Sequence, residues 1–175
     1  MNTFEASKTH ASHVCSLEGS IGCGCCPGDG SPAEVAGVGS DSSSPSRILL
    51  DLQRREISVL LNGRMRGSWP VAIGDPTTPT PQGEFAILTK KINPIYVSEK
   101  SGSRQELSGP KSPIGDRYLA FHPNGRCEFG IHGTPWPHWV KTRAAVSLGC
   151  VRMLNVHVRQ LFDLVDVGTT VEIQG

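Results

Sequence analysis

From Arg47 onward the chain alternates apolar and polar residues. In "RILLDL" the apolar Ile48, Leu50 and Leu52 recur at every second position, and in "EISVLL" so do Ile57, Val59 and Leu61. That two-residue period marks a strand with one buried face and one wet face. The polar "QRRE" between them reads as a turn. Asn62-Gly63 reads as a tight hairpin, because both residues tolerate positive φ. Trp69, Val71 and Ile73 continue the alternation in "SWPVAIG", and "EFAIL" resumes it after "DPTTPTPQG", whose three prolines forbid a strand interior. Together these segments predict a β-meander. Residues 91–117 are polar and predict one long loop, a length usually associated with function, such as a lid over a site. "RYLAFH" and "EFGIHG" predict two further strands, the second carrying Phe129 and Ile131 on one face and delivering His132 at its end.

One stretch changes period. Val158, Leu161, Phe162 and Val165 fall at i, i+3, i+4 and i+7, the single apolar stripe of an amphipathic helix. Asn155 is placed to cap its start and Gly168 to stop it. "TTVEIQ" closes the chain with a strand. The pattern predicts a mainly β fold with one helix in its C-terminal half. Residues 1–46 carry no such period. "SPAEVAGVGSDSSSPS" is too poor in large apolar side chains to build a core, so these residues predict a disordered Ser/Gly/Cys-rich tail ahead of a domain at 47–175.

Composition narrows the function classes. Lys plus Arg number 17 against 16 for Asp plus Glu, a balance that argues against general nucleic-acid or membrane-surface binding. No apolar run approaches the roughly 20 residues of a transmembrane helix, and the first twenty residues show no apolar core of a secretory signal peptide. The tail holds Cys15, Cys23, Cys25 and Cys26 in a C-x7-C-x-C-C pattern. Zinc sites usually pair cysteines at C-x2-4-C spacing, so the expectation is no metal site and a tail of unassigned purpose, ahead of a metal-binding, lipidated or redox tail.

The chemistry concentrates at "SLGCVRM". A thiol attacks as its thiolate, and the resting pKa of about 8.5 is most simply lowered by an imidazole that forms an ion pair with it. His132 is the candidate base, and residues 133–146 are long enough for the chain to fold back and bring Cys150 beside it. Gly133 after the histidine leaves room for substrate or for another backbone, and Gly149 permits a strained turn in which the N–H groups of Gly149 and Cys150 aim at one oxyanion. Arg152 suits a substrate carboxylate. Each residue also has a plainer reading: Cys150 as a small core residue, His132 as a structural histidine, Arg152 as a surface cation. His122, His138 and His157 read as satisfied or solvated, and Cys127 as structural.

The combination decides between these readings. "HGT", a gap, "SLGCVRM" and then "N-x-H-V-x-x-L" resemble the L,D-transpeptidase family, or YkuD domain, whose motif is a histidine, a gap of this length, then Ser/Thr-x-Gly-Cys, frequently continued by Arg-Met. Here those positions are His132, Ser147, Gly149, Cys150, Arg152 and Met153. The family's Thr-Pro-x-Gly-x-Phe segment is matched by Thr80, Pro81, Gly83 and Phe85, and the likeness runs from about Arg47 to Gln174. The resemblance implies a β-sandwich-like fold and a cofactor-free cysteine acyltransferase of the cell envelope, acting on peptidoglycan stem peptides. It implies that Cys150 attacks the carbonyl of the third stem residue, forming a thioester and expelling the terminal D-alanine. His132 would be the base, oriented by the Gly133 carbonyl. The N–H groups of Leu148, Gly149 and Cys150 would form the oxyanion hole, and Arg152, Ser147 and Thr134 would contact substrate. Carbapenem-type inhibitors would acylate the same thiol. An L,D-carboxypeptidase, with water as acceptor, would use the same residues; an inactive cell-wall binding module would not need them. Leu148 stands where the family often has histidine, so only a backbone donor is expected there.

Overall fold

The computed structural model describes residues 46–100, 103–124 and 127–175. Apart from Ser46, the expected tail and its four cysteines lie outside these residues. The strands are β1 (Arg47–Asp51), β2 (Glu56–Leu61), β3 (Arg64–Pro70), β4 (Ile73–Gly74), β5 (Gly83–Ala86), β6 (Thr89–Ile92), β7 (Tyr96–Lys100), β8 (Ser103–Leu107), β9 (Arg117–Asn124), β10 (Cys127–His132), β11 (Ala145–Ser147), β12 (Val151–Arg152) and β13 (Thr170–Gln174). Two helices interrupt them: α1 (Pro137–Lys141) and α2 (Asn155–Leu164).

The expected alternation is borne out where it was strongest. Ile48, Leu50, Ile57 and Val59 are buried, and β1, β2 and β3 form antiparallel neighbours joined at Asn62-Gly63, both at positive φ. The meander stops there. The last strand, β13, inserts between β1 and β5, giving the order β3-β2-β1-β13-β5. It runs parallel to β1, with Ile48 opposite Val171 and Leu50 opposite Ile173. A second sheet has the order β12-β10-β9-β6. Ile48, Leu50, Val171 and Ile173 of the first sheet share one core with Leu119, Phe121 and Ile131 of the second. The predicted sandwich is therefore present, with side chains of both sheets filling the space between them.

Helix α2 packs on β9 and β10 and buries Val158, Leu161 and Phe162, as its stripe predicted. Its ends differ from expectation. Leu154 occupies the cap position and Asn155 is the first helical residue, its amide instead donating to the Pro110 carbonyl at 3.0 Å. The helix ends before Val165, whose extended backbone turns the chain, and Gly168 lies in the following turn at φ +90°.

The loop expected over residues 91–117 is also corrected. It contains the β7–β8 hairpin, which pairs with no other sheet. A ribbon of that kind needs no continuous apolar face, so it leaves no two-residue hydrophobic signature. Among the described residues no helix is long and apolar enough to cross a membrane.

Candidate active site

Strand β10 carries His132 to its last position, and the parallel neighbour β12 carries Arg152 to the partner position. Ile131 and Val151 are the adjacent buried pair that holds these strands together. Arg152 is also fixed from its other side, exchanging backbone hydrogen bonds with Ala72 at 2.9 and 2.8 Å. Cys150 immediately precedes Val151, the register partner of Ile131, so the thiol lies alongside the histidine strand, short of its His132 end. The fold-back expected of residues 133–146 is what the structure shows. Short helix α1 begins at Pro137, where a missing N–H costs nothing.

His132 is 3 % exposed. Its Nδ1 lies 2.6 Å from the Gly133 carbonyl oxygen. A carbonyl only accepts, so Nδ1 bears the proton and Nε2 keeps its lone pair. Burial first, and then the neighbouring Arg152 cation, push the imidazole pKa down to about 4, against a smaller opposing effect of the Gly133 carbonyl. The standing imidazolium–thiolate pair expected from sequence is thereby disfavoured: the resting imidazole is neutral near pH 7, competent as a base. Its cross-strand neighbour Tyr118 stacks on it, with ring centroids 5.8 Å apart and planes 8° from parallel. The Tyr118 hydroxyl donates to the Glu128 carbonyl at 3.0 Å, and the Cys150 thiol lies 4.0 Å from the same oxygen.

Gly133 is required by close approach: a Cβ there would overlap Asn155 Oδ1 and crowd the Gly115 backbone. The room left by the missing side chain is therefore taken by protein rather than by substrate.

Cys150 is half-buried and outside any disulfide. The turn before it is closed by Ser147, whose hydroxyl donates to the Cys150 carbonyl at 2.5 Å and accepts the Gly149 N–H at 3.2 Å. Gly149 has φ +103°, and a Cβ there would run into the ring of Phe129. The strained turn expected at Gly149 is present. Its N–H, expected among the oxyanion donors, is engaged within the turn. Ser147 and Thr134, expected to contact substrate, are buried with their hydroxyls committed internally; Thr134 accepts the Trp136 N–H at 3.2 Å. Leu148 is 45 % exposed, two residues before Cys150.

Arg152 lies with its guanidinium carbon 4.7 Å from the centre of the Trp139 ring. Its Nε and Nη1 are buried without a hydrogen-bond partner in the protein. Burial lowers its pKa, opposed by the charges of Cys150 and of Tyr96 on β7. A stacked, buried guanidinium with unanswered donors is a cation whose hydrogen-bonding capacity the protein itself does not use up. The remaining histidines sit elsewhere. His122 stacks on Phe129 at 5.9 Å, His138 is exposed beside Trp139, and His157 tilts on Trp69 at 6.3 Å.

Sequence reasoning missed Tyr118, Phe129 and Trp139. Only Tyr118 left a usable signal, since pairing "RYLAFH" with "EFGIHG" as a hairpin puts it opposite His132. The segment before β11 is anchored by a reciprocal clamp that was equally unannounced. Arg143 donates to the carbonyls of Arg54 and Arg55 and to Glu56, and Arg55 donates back to the Arg143 carbonyl.

Comparison with known proteins bears on the family and the fold. The model of the L,D-transpeptidase catalytic domain (YkuD) matches residues 45–173. A Bacillus subtilis protein named as the L,D-transpeptidase YqjB is 34 % identical over 128 residues, spanning 72 % of this chain and 69 % of that protein. The Bacillus licheniformis L,D-transpeptidase YkuD is 31 % identical over 139 residues, spanning 79 % and 72 %. Among solved structures, an L,D-transpeptidase from Mycobacterium smegmatis superposes with TM-score 0.60 at 21 % identity, covering 74 % of this chain and 58 % of that one. L,D-transpeptidase LdtMt1 in complex with imipenem superposes with TM-score 0.57 at 21 % identity, and this chain again spans 58 % of it.

Proposed function

Because the chain belongs to the L,D-transpeptidase family, we propose that it is a cysteine acyltransferase acting on peptidoglycan stem peptides. His132 Nε2 takes the proton of the Cys150 thiol as Sγ bonds to the carbonyl carbon of the third stem residue. The tetrahedral oxyanion is met by backbone N–H groups of the Leu148–Cys150 turn. Its collapse breaks the bond to the terminal D-alanine, whose amine leaves with the proton from His132, and a thioester remains on Cys150. An amine of a second stem then attacks the thioester, returns a proton through His132 and restores the thiol, leaving a cross-link. Arg152 binds a stem carboxylate through its guanidinium while Trp139 holds its plane.

The observation that carries this reading is the His132 Nδ1 to Gly133 carbonyl bond at 2.6 Å. It leaves Nε2 as a basic nitrogen at the end of the strand beside which the β10–β12 register sets Cys150. A merely structural histidine or a core cysteine needs no such pairing. The imipenem complex of LdtMt1 supports a carbapenem as a probe of the same thiol here.

The test is intact-mass measurement of the wild type and of Cys150→Ala after exposure to imipenem and to muropeptides. The wild type is expected to gain one adduct and the variant none. A wild type that neither forms an adduct nor turns over muropeptide rejects the proposal. Dimeric products identify a transferase and trimmed monomers an L,D-carboxypeptidase.

A further inference from the structure

The carbonyl of Ser147 is a junction between the nucleophile turn and the segment 74–80. It accepts two hydrogen bonds, from the Asp75 N–H at 2.8 Å and from the Thr78 hydroxyl at 3.0 Å. The side chain of the same Ser147 grips the turn, donating to the Cys150 carbonyl and accepting the Gly149 N–H. A residue held this way on both sides transmits the position of the 74–80 segment to Cys150.

That segment is itself rigidly built. The Thr77 N–H and hydroxyl both donate to Asp75 Oδ1, at 2.9 and 2.8 Å, and the Thr78 N–H donates to the Asp75 carbonyl at 2.8 Å. Gly74 N–H donates to the buried Thr80 hydroxyl at 2.9 Å. A Cβ on Gly74 would strike the backbone of residues 78–80, so the two ends of the segment are pressed together. The Thr78 side chain reaches out of this closed loop to the nucleophile turn.

The turn so held has a particular polarity. The Gly149 N–H points back to Ser147, and the Phe129 ring against Gly149 together with φ +103° keeps the peptide in that orientation. The geometry of this turn, and with it the N–H groups it can offer an oxyanion, depends on Ser147 staying where Thr78 and Asp75 hold it.

We propose that Thr78 is a positioning residue for the oxyanion hole of the nucleophile turn, acting through Ser147. The proposal rests on the acyl-transfer function of Cys150. Displacing catalytic groups by an ångström is enough to lose large factors in rate, so a lost anchor is felt at the chemistry.

The test compares two reactions of the same thiol. Acylation by imipenem develops an oxyanion, whereas alkylation by iodoacetamide needs the thiolate but forms none. In Thr78→Val, which keeps the shape and removes the donor, the acylation rate is expected to fall roughly 10- to 100-fold while alkylation stays near the wild-type rate. Thr78→Ser, which restores a hydroxyl, recovers most of the acylation. The proposal is overturned if Thr78→Val acylates like the wild type, if both reactions fall in the same proportion, or if Thr78→Ser fails to rescue. A wild-type Cys150 that is alkylated but never acylated sinks the acyl-transfer function, and this proposal with it. The two failures thus carry different signatures.

Discussion

His132 Nδ1 and the carbonyl oxygen of Gly133 are 2.6 Å apart, so the chain fixes the tautomer of its own base through the next peptide. With the imidazole pKa lowered to about 4 by burial and by Arg152, the base is neutral over most of the accessible pH range. The rate of imipenem acylation should therefore persist below pH 6 and fall only as pH approaches about 4. His132→Gln should lower the rate by roughly 10²–10⁴, the usual share of a general base. An acidic limb centred near the ordinary histidine pKa of about 6.5 would show that the site is wetter or less cationic than its geometry implies.

The same shift has a consequence for stability. The folded pKa lies below the ordinary histidine value of 6.5, so between about 4 and 6.5 the unfolded chain binds the extra proton. Stability from this group is complete above that window and is lost as pH falls through it. At 1.36 kcal/mol per unit the full loss is on the order of 3 kcal/mol. Glu56 and His157, whose pKa values are also lowered, act with the same sign, so the comparison must be differential. Thermal melts of the wild type should fall more steeply between pH 6.5 and 4 than those of His132→Gln. Parallel curves for the two proteins would refute the assignment.

Much of this arrangement was legible in the chain because it rests on local pattern. Ile48, Leu50, Ile57 and Val59 alternate because one face of β1 and β2 is buried, and all four are in the core. Cys150 and His132 were read together because a reactive thiol demands a base, the intervening chain length allowed one, and the motifs around both resemble the family's. What escaped was set by distant partners. Nothing in "TTVEIQ" says that β13 will lie parallel to β1 and separate it from β5. Asn155 has the right chemistry for a helix cap, yet the Pro110 carbonyl claims its amide and the helix starts beside it. Gly149 was expected to aim its N–H at the substrate, and the Ser147 hydroxyl two residues away takes that N–H first.

Arg152 offers a prediction that separates charge from shape. Its stack on Trp139 at 4.7 Å and its unanswered Nε and Nη1 favour a guanidinium over an ammonium. Arg152→Lys keeps the charge and loses the planar guanidinium, so KM for a stem peptide should rise about 10- to 100-fold, the worth of a charged hydrogen bond, with a smaller change in kcat. Trp139→Ala should show a weaker form of the same effect. Steady-state kinetics decides the matter: a fall in kcat at constant KM would move Arg152 from substrate anchoring to the chemical step.

Gly149 is the position least tolerant of a side chain. Its φ of +103° is strained for any residue with a Cβ, and the Phe129 ring occupies the space that Cβ would need. Gly149→Ala should destabilise the domain by about 1–3 kcal/mol and abolish detectable acylation. Pairing it with Phe129→Ala relieves the collision but leaves the dihedral strain, so melting temperature should recover in part while acylation stays low. Full recovery of both would mean that the clash alone, and not the turn conformation, matters.

The β7–β8 hairpin gives the last expectation. It forms its own two-stranded sheet, and an isolated ribbon is at the low end of stability in water. Val97 of β7 is buried, and Tyr96 lies near enough to Arg152 to bear on its titration. Amides of residues 96–107 should therefore exchange with deuterium well before those of β9, β10 and β13, whose strands have neighbours on both sides. If the hairpin closes over an acyl group on Cys150, the imipenem adduct should slow exchange there and change it little in β1–β2. Exchange in the hairpin as slow as in β9, or unaltered by the adduct, would mean that this ribbon is a fixed wall of the site and takes no part in holding the substrate.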